Sequence, residues 1–142
     1  SSALGLACCF SSSQVAGILR FIQEELVVLS GELALPRPQD ASRLKKRLTP
    51  EMTQRLQGHI EALEGGLDMP QRFILPGGCP SAAALDLARA TIRRAERAVV
   101  RVRDQGLLAS SEVLPYLNRL ADLLFTLARH EEEANAGNDS PR

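Results

Sequence analysis

Apolar residues recur every three or four positions through most of this chain, the spacing that lines one face of an α-helix. Val15, Ile18, Ile22, Leu26, Leu29 and Leu33 form the first long stripe, and it predicts an amphipathic helix that stops near Pro36-Arg37-Pro38. Leu56, Ile60, Leu63 and Leu67 form the next. It is opened by Thr49-Pro50-Glu51, which combines a capping hydroxyl, a proline whose missing N–H costs nothing at the first position, and an acid near the positive helix end. Leu85, Ala88, Ile92, Ala95, Val99 and Val102 alternate four and three residues apart behind Ser81, a candidate cap, and make an almost pure heptad seam. Leu117, Leu120, Leu124 and Leu127 mark a final helix beginning close to Pro115. The opening Ser1-Ser2-Ala3-Leu4-Gly5-Leu6-Ala7 reads as the last turns of a helix.

No window alternates apolar and polar residues with period two, so the fold class is all-α, an up-and-down helical bundle. Residues 36–48 form a polar connection whose basic patch, Arg43-Leu44-Lys45-Lys46-Arg47, reads as a solvated loop before a phosphate site. Gly65-Gly66 ends the second helix, and Gly106 with Ser110-Ser111 separates the last two. The pattern predicts one domain over residues 1–133 and a disordered polar tail over 134–142.

Composition narrows the chemistry. With 44% hydrophobic and 24% charged residues, the 142-residue chain has the make-up of one globular domain. Seventeen basic and 17 acidic side chains leave a net charge of zero, so no global field draws it to nucleic acid or to an anionic membrane. A single tyrosine, four phenylalanines and no tryptophan make a poor base-stacking platform. No apolar run approaches a membrane span. Three cysteines, Cys8, Cys9 and Cys79, follow no disulfide framework; they point to a reducing compartment, cytosol or organelle matrix, and read as buried small hydrophobes. His59 and His130 stand on separate predicted helices, read as solvated, and suggest no metal motif.

One segment departs from this neutral background. Six arginines stand against Asp86 and Glu96 between positions 86 and 103, and Arg89, Arg93 and Arg97 repeat at i,i+4, where like charges oppose one another by about 0.2–0.5 kcal/mol per pair. A solvated basic face, with Glu96 pairing to Arg93, is one reading; an anion site is the other. Arg89 and Arg93 each follow a core position, Ala88 and Ile92, which predicts stems lying against neighbouring helices or subunits. Asn118, Asp122 and Phe125 share one side of the last helix, Asp122 suiting an arginine counter-ion and Asn118 a fixed donor. The Leu75-Pro76-Gly77-Gly78 turn allows close backbone approach just ahead of the arginine helix, with Phe73 as an apolar surface before it. There is no phosphate-binding Gly-rich loop ending in Lys-Ser/Thr, no dinucleotide fingerprint and no Ser/His/Asp set. Arginines with an amide and no general base fit a reaction whose nucleophile belongs to a cofactor and whose leaving group is polyphosphate.

Phe73-Ile74-Leu75-Pro76-Gly77-Gly78, Arg89-x-x-x-Arg93-Arg94-Ala95-Glu96-Arg97 and Leu117-Asn118-Arg119-Leu120-x-Asp122-x-Leu124-Phe125-x-Leu127-Ala128-Arg129 closely resemble motifs of the propanediol-utilisation type of ATP:cob(I)alamin adenosyltransferase. Ser1 to Gly5 resembles the end of that family's first helix, so the resemblance implies five helices with the first truncated here. It further implies a homotrimer with active sites at the subunit interfaces, where the cobalt of cob(I)alamin attacks C5′ of ATP, giving adenosylcobalamin and triphosphate. Carried over by motif, Arg93, Arg94, Glu96, Arg97 and Asn118 would hold ATP and Mg2+-bound triphosphate. Arg89 would order the corrinoid site through a carboxylate of a neighbouring subunit, and Phe73 would press on the lower corrin face and exclude the axial base. The catalytic set is Arg93, Arg89 and Phe73. The family's Thr/Gly-rich ATP loop, a lysine and acidic helix-heading residues lie upstream of the position that Ser1 matches. A bundle acting without them would be a non-catalytic corrinoid-binding or delivery module. Implied partners are ATP and corrinoid, with delivery to an adenosylcobalamin-dependent enzyme, in the cytoplasm and without nucleic acid or membrane.

Overall fold

Proline and glycine punctuation divides the apolar stripes into helices much as the periodicity requires. The computed structural model of the chain describes residues 1–35, 37–67 and 73–136. They form α1 (Ser2–Cys8), α2 (Ser13–Leu33), a 3-10 turn (Pro38–Arg43), α3 (Pro50–Glu64), α4 (Pro80–Asp104) and α5 (Val113–Ala136), with no strand among the described residues. No helix among them is long and apolar enough to cross a membrane.

The helix starts show which capping signals operate. The Ser12 hydroxyl accepts from Val15 N–H at the head of α2. Thr49 stands at the N-cap of α3 ahead of Pro50, as expected, but makes no capping bond. Its side chain hydrogen-bonds the Glu51 carboxyl, which together with Glu51's own backbone N–H holds that acid below its usual range. Ser81 does not cap α4: Pro80 takes the first helical position, which moves the cap to Cys79, and the buried Ser81 hydroxyl lies 3.2 Å from the Cys79 sulfur. At the far end of α4, Gly106 adopts φ +71° and Leu107 N–H returns to Val102 C=O at 3.1 Å, the left-handed ending that only glycine adopts without strain.

Side-chain pairings set α2 and α4 antiparallel to α5. Ser12 and Glu25 of α2 meet Glu131 and Tyr116 of α5. Asp86 and Glu96 of α4 meet Arg129 and Asn118 of α5. Arg55 of α3 meets Glu25. Helix α5 therefore lies at the centre, and its burial extends well beyond the expected Leu117, Leu120, Leu124 and Leu127 to Leu123, Ala121 and Ala128. Helices α2, α3 and α4 bury one stripe each: Leu19, Ile22, Leu26 and Leu29, then Leu56 and Ile60, then Leu85, Ala88, Ile92 and Val99. Ala95 and Val102 of the expected seam are only half-buried, because α4 leaves the core as it approaches its turn.

Other expectations need correction. Cys79 is buried, but Cys8 is half-buried and Cys9, just past the end of α1, is exposed. His59 and His130 are half-buried, since each lies at the edge of its helix's packed face. The connection after α2 contains an ordered turn, in which Asp40, 7% exposed, receives Arg37 at 3.2 Å and Arg43 at 3.6 Å. The basic patch itself is solvated as expected, with Arg43, Lys45, Lys46 and Arg47 all exposed and Arg47 donating to Ala109 C=O at 3.3 Å. Helix α5 starts at Val113, two residues before Pro115, and continues through residues 134–136 of the expected tail, where Asn135 bonds back to Glu131 C=O; residues 137–142 of that tail lie outside the described residues.

The central polar cluster yields a test. Glu25, 4% exposed, accepts from the Tyr116 hydroxyl at 2.7 Å and from Arg55 at 2.6 Å. Burial first, then the hydrogen bond and charge of Glu25, push the Tyr116 phenol far above its ordinary value of 10.0. Because folding raises this value, the stabilisation is complete below pH 10.0 and is lost progressively as pH climbs above it. Tyr116 is the only tyrosine, so absorbance reports it alone: at about pH 11 the folded protein should show no tyrosinate band, which should appear with unfolding. Tyr116→Phe strands a buried carboxylate oxygen and should lower the unfolding free energy by about 1–3 kcal/mol in urea titrations.

Candidate active site

The apolar stripe of α4 sets which of its side chains can serve a ligand. With Leu85, Ala88, Ile92 and Val99 turned into the core, Arg89, Arg93, Arg94, Arg97, Arg101 and Arg103 all come out exposed on the other faces. Arg101 and Arg103 stand in the last turn, where the negative helix end favours cations. Arg103 also pairs with Asp104 at 2.8 Å. Among the described residues, no carboxylate lies within salt-bridge distance of Arg94, Arg97 or Arg101.

Arg93, Glu96 and Asn118 do come together. Arg93 forms an ion pair with Glu96 at 2.7 Å one turn along α4, and the other Glu96 oxygen accepts from the Asn118 amide at 3.2 Å across the α4–α5 contact. The Arg93 side chain remains 44% exposed, and an ion pair so placed contributes only about 0.5 kcal/mol. A phosphate group, which can take two guanidinium bonds at once, displaces such a pair readily.

Beside this group opens a recess of about 690 Å³ between the C-terminal half of α4 and the start of α5. Glu96, Arg103 and Asn118 give it polar walls, while Val100, Leu108 and Leu114 give it apolar ones. Its floor depends on the Gly106 turn, which folds Leu108, Ser110 and Ser111 back against α4. A mixed cavity of this size suits a nucleoside or another small polar-edged ring.

The second region lies at the N-terminal end of α4. Phe73 and Leu75 are fully exposed, and Gly77 takes φ +109°, a conformation reserved for glycine. Gly78 N–H donates to the Glu132 carboxylate of α5 at 3.3 Å. Arg129, 5% exposed, pairs with Asp86 at 2.6 Å and lies 3.3 Å from Glu132. The Phe125 ring receives guanidinium groups from both Arg89, at 5.0 Å from its centroid, and Arg129, at 5.2 Å.

The expected residues thus fall into two groups. Arg93, Glu96 and Asn118 form one. Arg89 joins the Phe125–Arg129 group, and no hydrogen bond or cation–ring contact among the described residues links Phe73 to any arginine. Asp122 serves Arg119 of its own helix at 3.3 Å instead of an α4 arginine, because the i,i+3 neighbour is nearer. Sequence reasoning missed Asp86, Glu132, the buried role of Arg129 and the recess beyond Glu96. Arg129 alone carried a signal, as a charge embedded in the apolar stripe of α5.

Known proteins resemble this chain in sequence and fold. The cobalamin adenosyltransferase family pattern matches residues 1–131. A corrinoid adenosyltransferase of Mycobacterium tuberculosis strain H37Rv is 38% identical over 122 residues, 82% of this chain and 61% of its own length. That of Mycobacterium leprae is 35% identical over 145 residues, 97% of this chain and 74% of its own. A phenylalanine-to-histidine variant of the PduO-type ATP:corrinoid adenosyltransferase from Lactobacillus reuteri, complexed with cobalamin and ATP, has a TM-score of 0.83 at 29% identity, covering 95% of this chain and 73% of that one. The chain spans less than two thirds of the length of the M. tuberculosis relative. Since the family pattern runs continuously from α1 through the Phe73 loop and the arginine rows of α4 to the Asn118 and Arg129 positions of α5, this chain belongs to the cobalamin adenosyltransferase family.

Proposed function

We propose that the protein transfers the 5′-deoxyadenosyl group of ATP to the cobalt of cob(I)alamin. The observation that carries this reading is the Arg93–Glu96–Asn118 cluster opening onto a recess large enough for a nucleoside. The electron pair of cobalt(I) attacks C5′ of the ribose, the C5′–O bond breaks, and triphosphate leaves with that bond's electrons while the metal becomes formally cobalt(III). No proton need move to a protein base at the reacting carbon. The chain's task is to hold the two substrates in line and to receive a highly charged leaving group.

In this reading Arg93 leaves Glu96 for the polyphosphate, and Arg94 and Arg97, which have no carboxylate partner among the described residues, add to the positive field. Glu96, released, and Asn118 hold the nucleoside end. Magnesium would enter with the nucleotide, bound to its phosphate oxygens and water. Phe73, an exposed ring on a Pro-Gly-Gly loop, would cover the lower corrin face and exclude the axial base. Arg89, steadied by Phe125, would reach a carboxylate of a neighbouring subunit in a homotrimer. We place the protein in the cytoplasm, where its product can pass to an adenosylcobalamin-dependent enzyme.

Anaerobic incubation of the full-length protein with cob(I)alamin and MgATP should convert the cob(I)alamin spectrum to that of the alkylated product and release triphosphate; an unchanged spectrum would overturn the reading. Arg93→Ala should weaken ATP binding by about 2 kcal/mol, roughly thirtyfold in calorimetry, and Arg93→Lys should recover only part of it because the paired N–H geometry is gone. Phe73→Ala should slow turnover at subsaturating corrinoid by about tenfold or more while ATP affinity stays unchanged, because it removes an apolar ring from the corrin side alone.

A further inference from the structure

Phe73 stands in the connection between α3 and α4. Among the described residues, the only hydrogen bond joining residues 73–78 to the rest of the protein is Gly78 N–H to Glu132 Oε1. The approach is close: a Cβ at Gly78 would sit 2.8 Å from that same oxygen, so the carboxylate would have to shift to admit one. The acceptor is itself held in place. Its second oxygen faces Arg129, whose guanidinium is buried, paired with Asp86 at the head of α4 and laid over the Phe125 ring that also receives Arg89. Arg129 Nε finds no aligned hydrogen bond, so its link to Glu132 is charge attraction at 3.3 Å, which lets the carboxylate aim at the loop.

We infer that Glu132 is a positioning residue for the corrinoid half of the site, fixing through Gly78 where Phe73 stands; the inference rests on the role proposed above for Phe73. The Phe73 ring and Leu75 are exposed and Ile74 between them is half-buried, so side-chain packing does little to define where residues 73–78 stand. An anchor five residues after that ring limits its travel, and the left-handed Gly77 beside the anchor sets the direction in which the chain leaves. Glu132 sits on the same Arg129 that shares Phe125 with Arg89, so the loop and Arg89 are referenced to one rigid group.

The test compares the full-length wild type with Glu132→Ala, Glu132→Gln and Gly78→Ala. Glu132→Ala should raise the KM for cob(I)alamin by about tenfold or more, as misplacement of a contacting group does, with ATP affinity unchanged. It should also lose hydrogen-exchange protection at the Gly78 amide. Glu132→Gln keeps an acceptor for Gly78 N–H and should restore both readouts, whereas a purely structural ion pair with Arg129 would not be rescued by an uncharged amide. If Glu132→Ala does not fold, Gly78→Ala presses a methyl against the same carboxylate and should give the same corrinoid-selective loss. Unchanged Gly78 exchange in Glu132→Ala, or equal rises in the KM for corrinoid and ATP, overturns the inference. A wild type that leaves cob(I)alamin unalkylated overturns the functional reading instead, and the exchange measurement then still decides whether Glu132 holds the loop.

Discussion

A charge enclosed by packed helices must meet a partner, since breaking a buried pair by removing one member costs about 3–5 kcal/mol. Helix α5 is buried on nearly every side yet carries Tyr116, Arg129 and Glu131 in that interior. Each is matched from a neighbouring helix: Tyr116 by Glu25 of α2, Arg129 by Asp86 of α4, and Glu131 by the Ser12 N–H and hydroxyl at the head of α2. Leucine packing alone tolerates many similar arrangements, whereas these few directed contacts select one. They stand near both ends of α5, so they set its axial register as well as its neighbours.

That register makes the candidate site. Glu96 reaches Asn118 at 3.2 Å, and a slip of one helical turn, about 5.4 Å, would separate them. The Asp86–Arg129 pair sits ten positions earlier on α4 and eleven later on α5, which is the spacing an antiparallel contact needs to hold both at once. The same pair steadies Glu132 and, through it, the loop ahead of α4. A structural ion pair in the interior thus governs two surface regions that share no direct contact.

The surface obeys the opposite rule. On the outer faces of α4, arginines are crowded and weakly paired in a protein whose net charge is zero. Weak pairing is what a polyanion site requires, because a strong internal salt bridge would compete with the ligand. Arg93 and Glu96 illustrate this: close in distance, modest in energy and open to solvent.

Much of this was legible from residue order. The apolar periodicity of α2 to α5, the Pro50 helix start, the Pro-Gly-Gly turn and the Arg93–Glu96 pairing all depend on neighbours within a turn or two, where local geometry decides the contact. Ser81 as a cap failed because a proline one residue earlier took over, and Asp122 is an arginine's counter-ion as expected, the arginine being Arg119 of its own helix. Glu25–Tyr116, Asp86–Arg129, Ser12–Glu131 and Gly78–Glu132 join positions 43 to 119 residues apart. No spacing rule reaches that far. Sequence by itself determined which residues are helical, which faces are apolar and where positive charge accumulates, because those follow from covalent neighbours. Only the packed bundle decided which acid each buried cation or hydroxyl meets, and how the Phe73 loop is held, because burial makes pairing compulsory but leaves the choice of partner to helix register.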